Sequence, residues 1–175
     1  EEKIKDTVDY VNNIIDQSDS DKVIVFGNYV DATMMLGKEF GVVAITGETK
    51  NDERQPIIDK FQSDPSIKVL VITVRTGNVG LNLVEANHVV FNDYSYSPSD
   101  MMQAESRIYR LGQTKKAHVH YLTSEGTVDE DVIAVLTSKQ NIINGIVDGV
   151  KYEVDSQEYK DQERGVENLV LEKLK

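Results

Sequence analysis

Lys68-Val69-Leu70-Val71-Ile72-Thr73 is a run of almost unbroken Val, Leu and Ile, without the polar/apolar alternation of a half-solvated strand. A strand of that composition is buried on both faces, as in a parallel sheet lying between helices. Working outward, residues 22–26 form a β-branched and aromatic run closed by Gly27, and residues 42–46 form another closed by Gly47. Residues 89–91 and 118–122 read as two further strands. Helical spacing fills the gaps. Residues 29–40 end at Gly41, a C-cap glycine, and residues 51–62 tolerate Pro56 near their first turns. Residues 99–110 have a Pro-Ser start at Pro98-Ser99 with Asp100 after it, which suits a helix N-terminus. The alternation of strand and helix predicts an α/β fold with a mainly parallel sheet.

Two amphipathic stripes flank that unit. Ile4, Val8, Val11 and Ile15 predict a leading helix within residues 1–19. Val128, Val132, Val135, Leu136, Ile142, Ile143 and Ile146 predict a long helix packing back on the sheet. The expected organisation is therefore a leading helix (1–19), a main domain (20–149) and a charged extension (150–175). Val154, Val166, Leu169, Leu171 and Leu174 are scattered through the extension, whose composition suits a solvated helix.

The chain has 175 residues, 39% hydrophobic and 28% charged, enough for one domain with a real core. No apolar run approaches membrane-spanning length, and residues 4–15 are too charged for a signal peptide, so no membrane partner is expected. Cysteine is absent, which excludes disulfides, thiolate nucleophiles and Cys-ligated metal and fits an intracellular protein. His88, His118 and His120 lie on predicted strands without helical metal-ligand spacing, and no metal site is expected. A net charge of −11 argues against a stand-alone nucleic-acid binder, while leaving room for local phosphate contacts.

In open α/β sheets ligands gather at the carboxyl ends of the strands. Four segments fall there: Gly27-Asn28-Tyr29, Thr46-Gly47-Glu48-Thr49, residues 73–83 and Asn92-Asp93-Tyr94. In the third, a hydroxyl at a strand end is followed by glycines around a turn and by Gly80-Leu81-Asn82-Leu83 opening a helix. Such a loop exposes N–H groups and hydroxyls suited to phosphate. Further on, Gln103-Ala104-Glu105-Ser106-Arg107-Ile108-Tyr109-Arg110-Leu111-Gly112-Gln113 sets Arg107 and Arg110 on one helical face. Arginine is always charged and donates two parallel hydrogen bonds, so the pair suits charge on a transferring phosphoryl group.

In order and spacing, residues 20–135 resemble the second RecA-like lobe of superfamily-two helicases, specifically the Swi/Snf family of duplex-DNA translocases. Val23-Ile24-Val25-Phe26 resembles motif IV. Thr46-Gly47-Glu48-Thr49 with Glu53-Arg54 and Phe61 resembles the family's Gly-Ser/Thr-Thr, Arg and Phe pattern, and residues 73–83 resemble motif V. Ala86 through Asp93, Ser97-Pro98, Gln103-Ala104, Arg107 and Arg110-Leu111-Gly112-Gln113 resemble the stretch through motif VI. Thr127-Val128-Asp129-Glu130 is similar to the Thr-Ile-Glu-Glu that follows it.

The resemblance implies that Arg107 and Arg110 reach the ATP γ-phosphate, with Arg110 as the arginine finger. It implies that Gln103, Gly80 and Asn82 border the nucleotide, and that Thr49, Arg54, Thr73 and Arg75 face the DNA backbone. The chain departs from the family's pattern at Thr76-Gly77-Asn78, where Ala-Gly-Gly is usual, at Thr46, where Asp is common, and at Tyr109, where His is common. The sequence has no Gly-x-x-x-x-Gly-Lys-Ser/Thr loop and no Asp-Glu magnesium box, so ATP and Mg²⁺ are expected to be held by a first RecA-like lobe. The chain opens within a helical pattern and without Met, so a piece of a larger protein is expected, inactive alone. The implied partners are that first lobe, the duplex DNA backbone and a nucleoprotein substrate. The lack of insertions between residues 20 and 135 favours a bacterial, phage or viral member, with a nuclear protein as the alternative. Two other readings stand: the lobe of an RNA or restriction-type superfamily-two helicase, and a degenerate lobe acting as a protein-interaction scaffold.

Overall fold

The computed structural model describes residues 2–18, 21–77, 83–105, 115–124, 126–127, 129–134 and 136–137. The elements run α1 (Glu2–Gln17), β1 (Val23–Gly27), α2 (Val30–Phe40), α3 (Asn51–Ser63), β2 (Val69–Thr73), α4 (Val74–Gly77), β3 (His88–Phe91), α5 (Pro98–Glu105) and β4 (His118–Tyr121). The strands form one all-parallel sheet in the order β2-β1-β3-β4. The expected strand over residues 42–46 is reduced to a single parallel bridge, Ile45 to Ile72, beside β2. Ile45 N–H bonds to Val71 O at 2.9 Å and accepts from Thr73 N–H at 3.0 Å, whereas Val43 is 64% exposed and pairs with nothing on that edge.

Every residue of β1 and β2 is buried, as the apolar runs require of a sheet covered on both faces. Pleating sorts the side chains. Val23, Val25, Val69, Val71 and Val90 join Ile4 and Val11 of α1 and Leu36 of α2 in one cluster. Register neighbours Phe26, Phe91 and Tyr121 stack on the other side, with ring centroids 5.2 and 5.0 Å apart. Gly41 closes α2 in the left-handed conformation (φ 66°), its N–H bonding to the Gly37 and Lys38 carbonyls. Pro56 lies inside α3 without ending it.

The chain divides into two units, one of Glu1–Ser95 with Ser99–Leu122 and one of Tyr96–Pro98 with Thr123–Lys175. The sheet and α1 belong to the first. In the second, residues 129–134 and 136–137 are helical, and Thr127 starts that helix by accepting the Asp129 N–H on Oγ1 at 3.3 Å. Val128, Val135, Ile142, Ile143, Ile146 and the whole 150–175 extension lie outside the described residues. Among the described residues, no helix is long and apolar enough to cross a membrane.

Candidate nucleotide and DNA-facing site

Parallel register brings the expected segments to one edge. Gly27 pairs with Thr73, Phe26 with Phe91, and Phe91 with Tyr121, so β1 to β4 all end together. The Ile45–Ile72 bridge adds Thr46 to that row.

The turn after Ile45 is tightly organised. Thr46 N–H donates to Thr49 Oγ1 at 2.9 Å, Glu48 N–H to Thr46 Oγ1 at 3.2 Å, and Thr49 N–H to Thr46 O at 3.2 Å. Thr46 is buried, and its hydroxyl closes the turn where the family commonly has Asp. Arg54, in the first turns of α3, sends Nε to Thr49 O at 2.7 Å and Nη2 to Gly47 O at 3.1 Å and Thr46 O at 3.3 Å.

Beside it, β2 passes straight into the short helix α4 at Val74, where the sequence suggests a loop. Thr73 is buried, and its hydroxyl lies 2.7 Å from that of Thr76, giving the threonine that replaces the usual Ala a partner. Arg75 is exposed between them. A Cβ on Gly77 would sit 2.5 Å from Phe26 Cε1, so glycine here lets the loop lie against the aromatic row.

Asn92-Asp93-Tyr94, also expected at this edge, is turned to structural use. Asn92 Oδ1 accepts the Thr7 hydroxyl of α1 at 2.7 Å, and Lys3 Nζ lies 5.2 Å from the Tyr94 ring centre. Tyr29 is exposed after the Gly27 turn. On α5, Met101 and Ala104 are buried while Gln103 faces solvent. Arg107, Arg110, Gly80 and Asn82 lie outside the described residues. No group of three or more His, Asp or Glu is placed to hold a metal ion among the described residues.

The opposite end carries a network that sequence reading did not assemble. Lys22 is buried, and its Nζ donates to the last carbonyls of α3, Phe61 O and Asp64 O. Burial pushes its pKa down. Lys22 N–H bonds to Asn87 Oδ1 at 3.1 Å, and Asn87 Nδ2 bonds to Asp21 at 2.9 Å. Asp21 lies 3.4 Å from His88 Nε2, His88 Nδ1 lies 3.0 Å from His120 Nε2, and His120 Nδ1 lies 2.9 Å from the Tyr10 hydroxyl. One set of tautomers satisfies the whole row: Tyr10 donates to neutral His120, His120 to neutral His88, and His88 to Asp21. Desolvation lowers the pKa of both histidines. Desolvation is also the largest influence on Asp21, but the Asn87 hydrogen bond, the charge His88 takes on at the acid pH where Asp21 titrates, and the Lys115 charge outweigh it and hold the carboxyl below its usual value.

With the geometry in place, comparison with known proteins decides the family. The model of the helicase conserved C-terminal domain matches residues 3–112. The chain belongs to that family. It is 31% identical over 157 residues to the "SWI/SNF-related matrix-associated actin-dependent regulator of chromatin subfamily A containing DEAD/H box 1 homolog" of Caenorhabditis elegans, covering 85% of this chain and 16% of that protein. It is 28% identical over 155 residues to the human "DNA annealing helicase and endonuclease ZRANB3", covering 86% of this chain and 14% of that one. In structure it is similar to the C-terminal part of the Fun30 ATPase domain (TM-score 0.67, 29% identity, 77% of this chain and 45% of that one). It is likewise similar to the Sulfolobus solfataricus SWI2/SNF2 ATPase core (TM-score 0.61, 34% identity, 81% and 29%). The Swi/Snf-type RecA-like lobe implied by the motifs is thus the fold and family of this chain. It spans about a sixth or less of the length of these curated relatives.

Proposed function

We propose that this helicase C-terminal lobe is the second motor half of an ATP-dependent duplex-DNA translocase of the Swi/Snf type. The observation that carries the reading is the shared carboxyl edge. The 46–49 turn and the Thr73–Gly77 segment follow neighbouring strand positions there, the first carrying Thr49 and the second exposed Arg75. Thr49 and Arg75 supply backbone contacts to DNA that grip without reading sequence, as stepping along any duplex requires. Thr73 works one step back through Thr76.

Gln103, Gly80, Asn82, Arg107 and Arg110 form the nucleotide edge in this reading. The first RecA-like lobe holds the ATP phosphates and Mg²⁺. When the lobes close, Arg107 and Arg110 neutralise charge spreading over the phosphoryl oxygens, a contribution of about 10³–10⁵ in rate for arginine fingers. Hydrolysis releases them, and alternating closure shifts the two lobes' grips along the backbone. Alone, the 175 residues neither turn over ATP nor bind DNA tightly.

The test is ATP hydrolysis by the full-length protein beside its Arg110→Ala form. Turnover should fall by about three orders of magnitude with the melting temperature unchanged. Wild-type turnover in the variant would reject the finger. Appreciable hydrolysis by the 175 residues alone would reject the division of labour between lobes.

A further inference from the structure

Arg54 is cast by the family resemblance as a DNA contact, yet the Nε and Nη2 of its guanidinium are committed inside the chain. Its Nε and Nη2 reach three backbone carbonyls of one turn, those of Thr49, Gly47 and Thr46, at 2.7, 3.1 and 3.3 Å. Arg54 is itself fixed, because it stands on the first turns of α3, whose Ile58 and Phe61 are buried. The surface around it is not cationic: Glu48, Asp52 and Glu53 are exposed beside Lys50.

The peptide bonds here are trans, so a carbonyl drawn one way turns the following N–H the other way. Pulling the Thr46 and Thr49 carbonyls onto one cation therefore turns the N–H groups of Gly47 and Lys50 away from it. Nothing lies within 4 Å of the position a Gly47 Cβ would take, so the outer side of the turn is open to a backbone. Thr49 Oγ1 accepts from Thr46 N–H and keeps its own proton to donate.

We propose that Arg54 is a positioning residue: it shapes the 46–49 turn so that amides and the Thr49 hydroxyl meet a DNA phosphate, and it does not touch the phosphate itself. This rests on the motor reading above. The alternative, a direct ion pair, differs in a measurable way. A side chain that neutralises a phosphate releases counterions, and its loss makes the slope of log affinity against log salt shallower by about 0.9; loss of neutral donors leaves the slope alone.

The experiment uses the full-length protein as wild type, Arg54→Ala and Arg54→Lys. Binding to a fluorescent duplex is followed across a salt series, with hydrogen exchange of the peptide covering residues 46–50 beside it. Arg54→Ala should weaken binding by about five- to tenfold, on the scale of one or two lost hydrogen bonds, with the wild-type salt slope. Exchange at the turn should quicken while that of the sheet does not change. Arg54→Lys should bind as poorly as Arg54→Ala, because a single ammonium does not reproduce the planar fork. A slope shallower by about 0.9 in Arg54→Ala, with Lys restoring binding, would assign the direct contact instead. Unchanged exchange at the turn overturns the positioning role whatever the DNA result. A wild type that ignores duplex DNA, with the turn still loosened in Arg54→Ala, sinks the motor reading and the phosphate half of the proposal, and leaves Arg54 as a turn clamp.

Discussion

At the amino end of the sheet, polar side chains turn inward and bond one another; at the carboxyl end, they are gathered into turns whose outer faces remain open. Lys22 caps α3, Asn87 ties Lys22 to Asp21, and the row Asp21–His88–His120–Tyr10 fastens α1 to β3 and β4. At the other end, Arg54 holds the 46–49 turn and Thr76 supports Thr73, while Arg75 and Gly47 stay exposed. Both ends are rich in hydrogen bonds, so hydrogen bonding alone does not mark a working surface. The difference lies in where the bonds leave the chain's outward groups. Substitutions at the amino end should therefore cost folding, and those at the carboxyl end should cost turnover or grip.

The largest contrast is expected at Arg107. In the full-length protein Arg107→Ala should lower turnover by about two to three orders of magnitude without moving the melting temperature. A variant that melts early while its remaining folded fraction works normally would place Arg107 with the structural residues. Lys22→Ala should behave in the opposite way. Leaving the Phe61 and Asp64 carbonyls without their donor should cost about 2–3 kcal/mol in urea unfolding, with activity per folded molecule retained.

Gly77→Ala probes the seam between the classes. Its Cβ would meet Phe26 at 2.5 Å, so about 1–2 kcal/mol of stability should be lost together with DNA-stimulated turnover. Loss of stability alone would show that this loop is scaffold only.

The smallest effect is in pH. His88 and His120 titrate below their usual value when folded, so the folded chain takes up protons less readily than the unfolded one. Their contribution is intact above about pH 6.5 and fades as pH falls below it. Asp21, held low in the folded state, adds a further loss at more acid pH, below the ordinary Asp range. Melting curves should be flat around neutral pH and decline through this acid range, less steeply through the histidine part in His120→Gln. A melting temperature that rises on acidification would contradict the neutral relay.

The two strands β1 and β2 were legible because they are built almost wholly of apolar, mostly β-branched residues, and the end of α2 because Gly41 is the residue that a left-handed cap favours. Residues 42–46 misled because Val42 and Val43 carry strand propensity where only Ile45 pairs. Val74 is buried and β-branched, so nothing local announced that β2 turns into a helix there. The histidine row could not be read from sequence, since Tyr10, Asp21, His88 and His120 meet only through parallel register. The motif residues at the rim were legible as types, but not their partners: Arg54 facing carbonyls and Arg54 facing phosphate have the same sequence. Arg107, Arg110, Gly80 and Asn82 were singled out by spacing and resemblance, and geometry adds nothing to them.

In the proposed function this lobe belongs to a motor driven by duplex DNA. The most direct test is ATP hydrolysis by the full-length protein, titrated separately with duplex DNA, single-stranded DNA and RNA. Saturable stimulation by duplex DNA above the level without nucleic acid is the predicted result. Stimulation by RNA or single strands with duplex inert would contradict it.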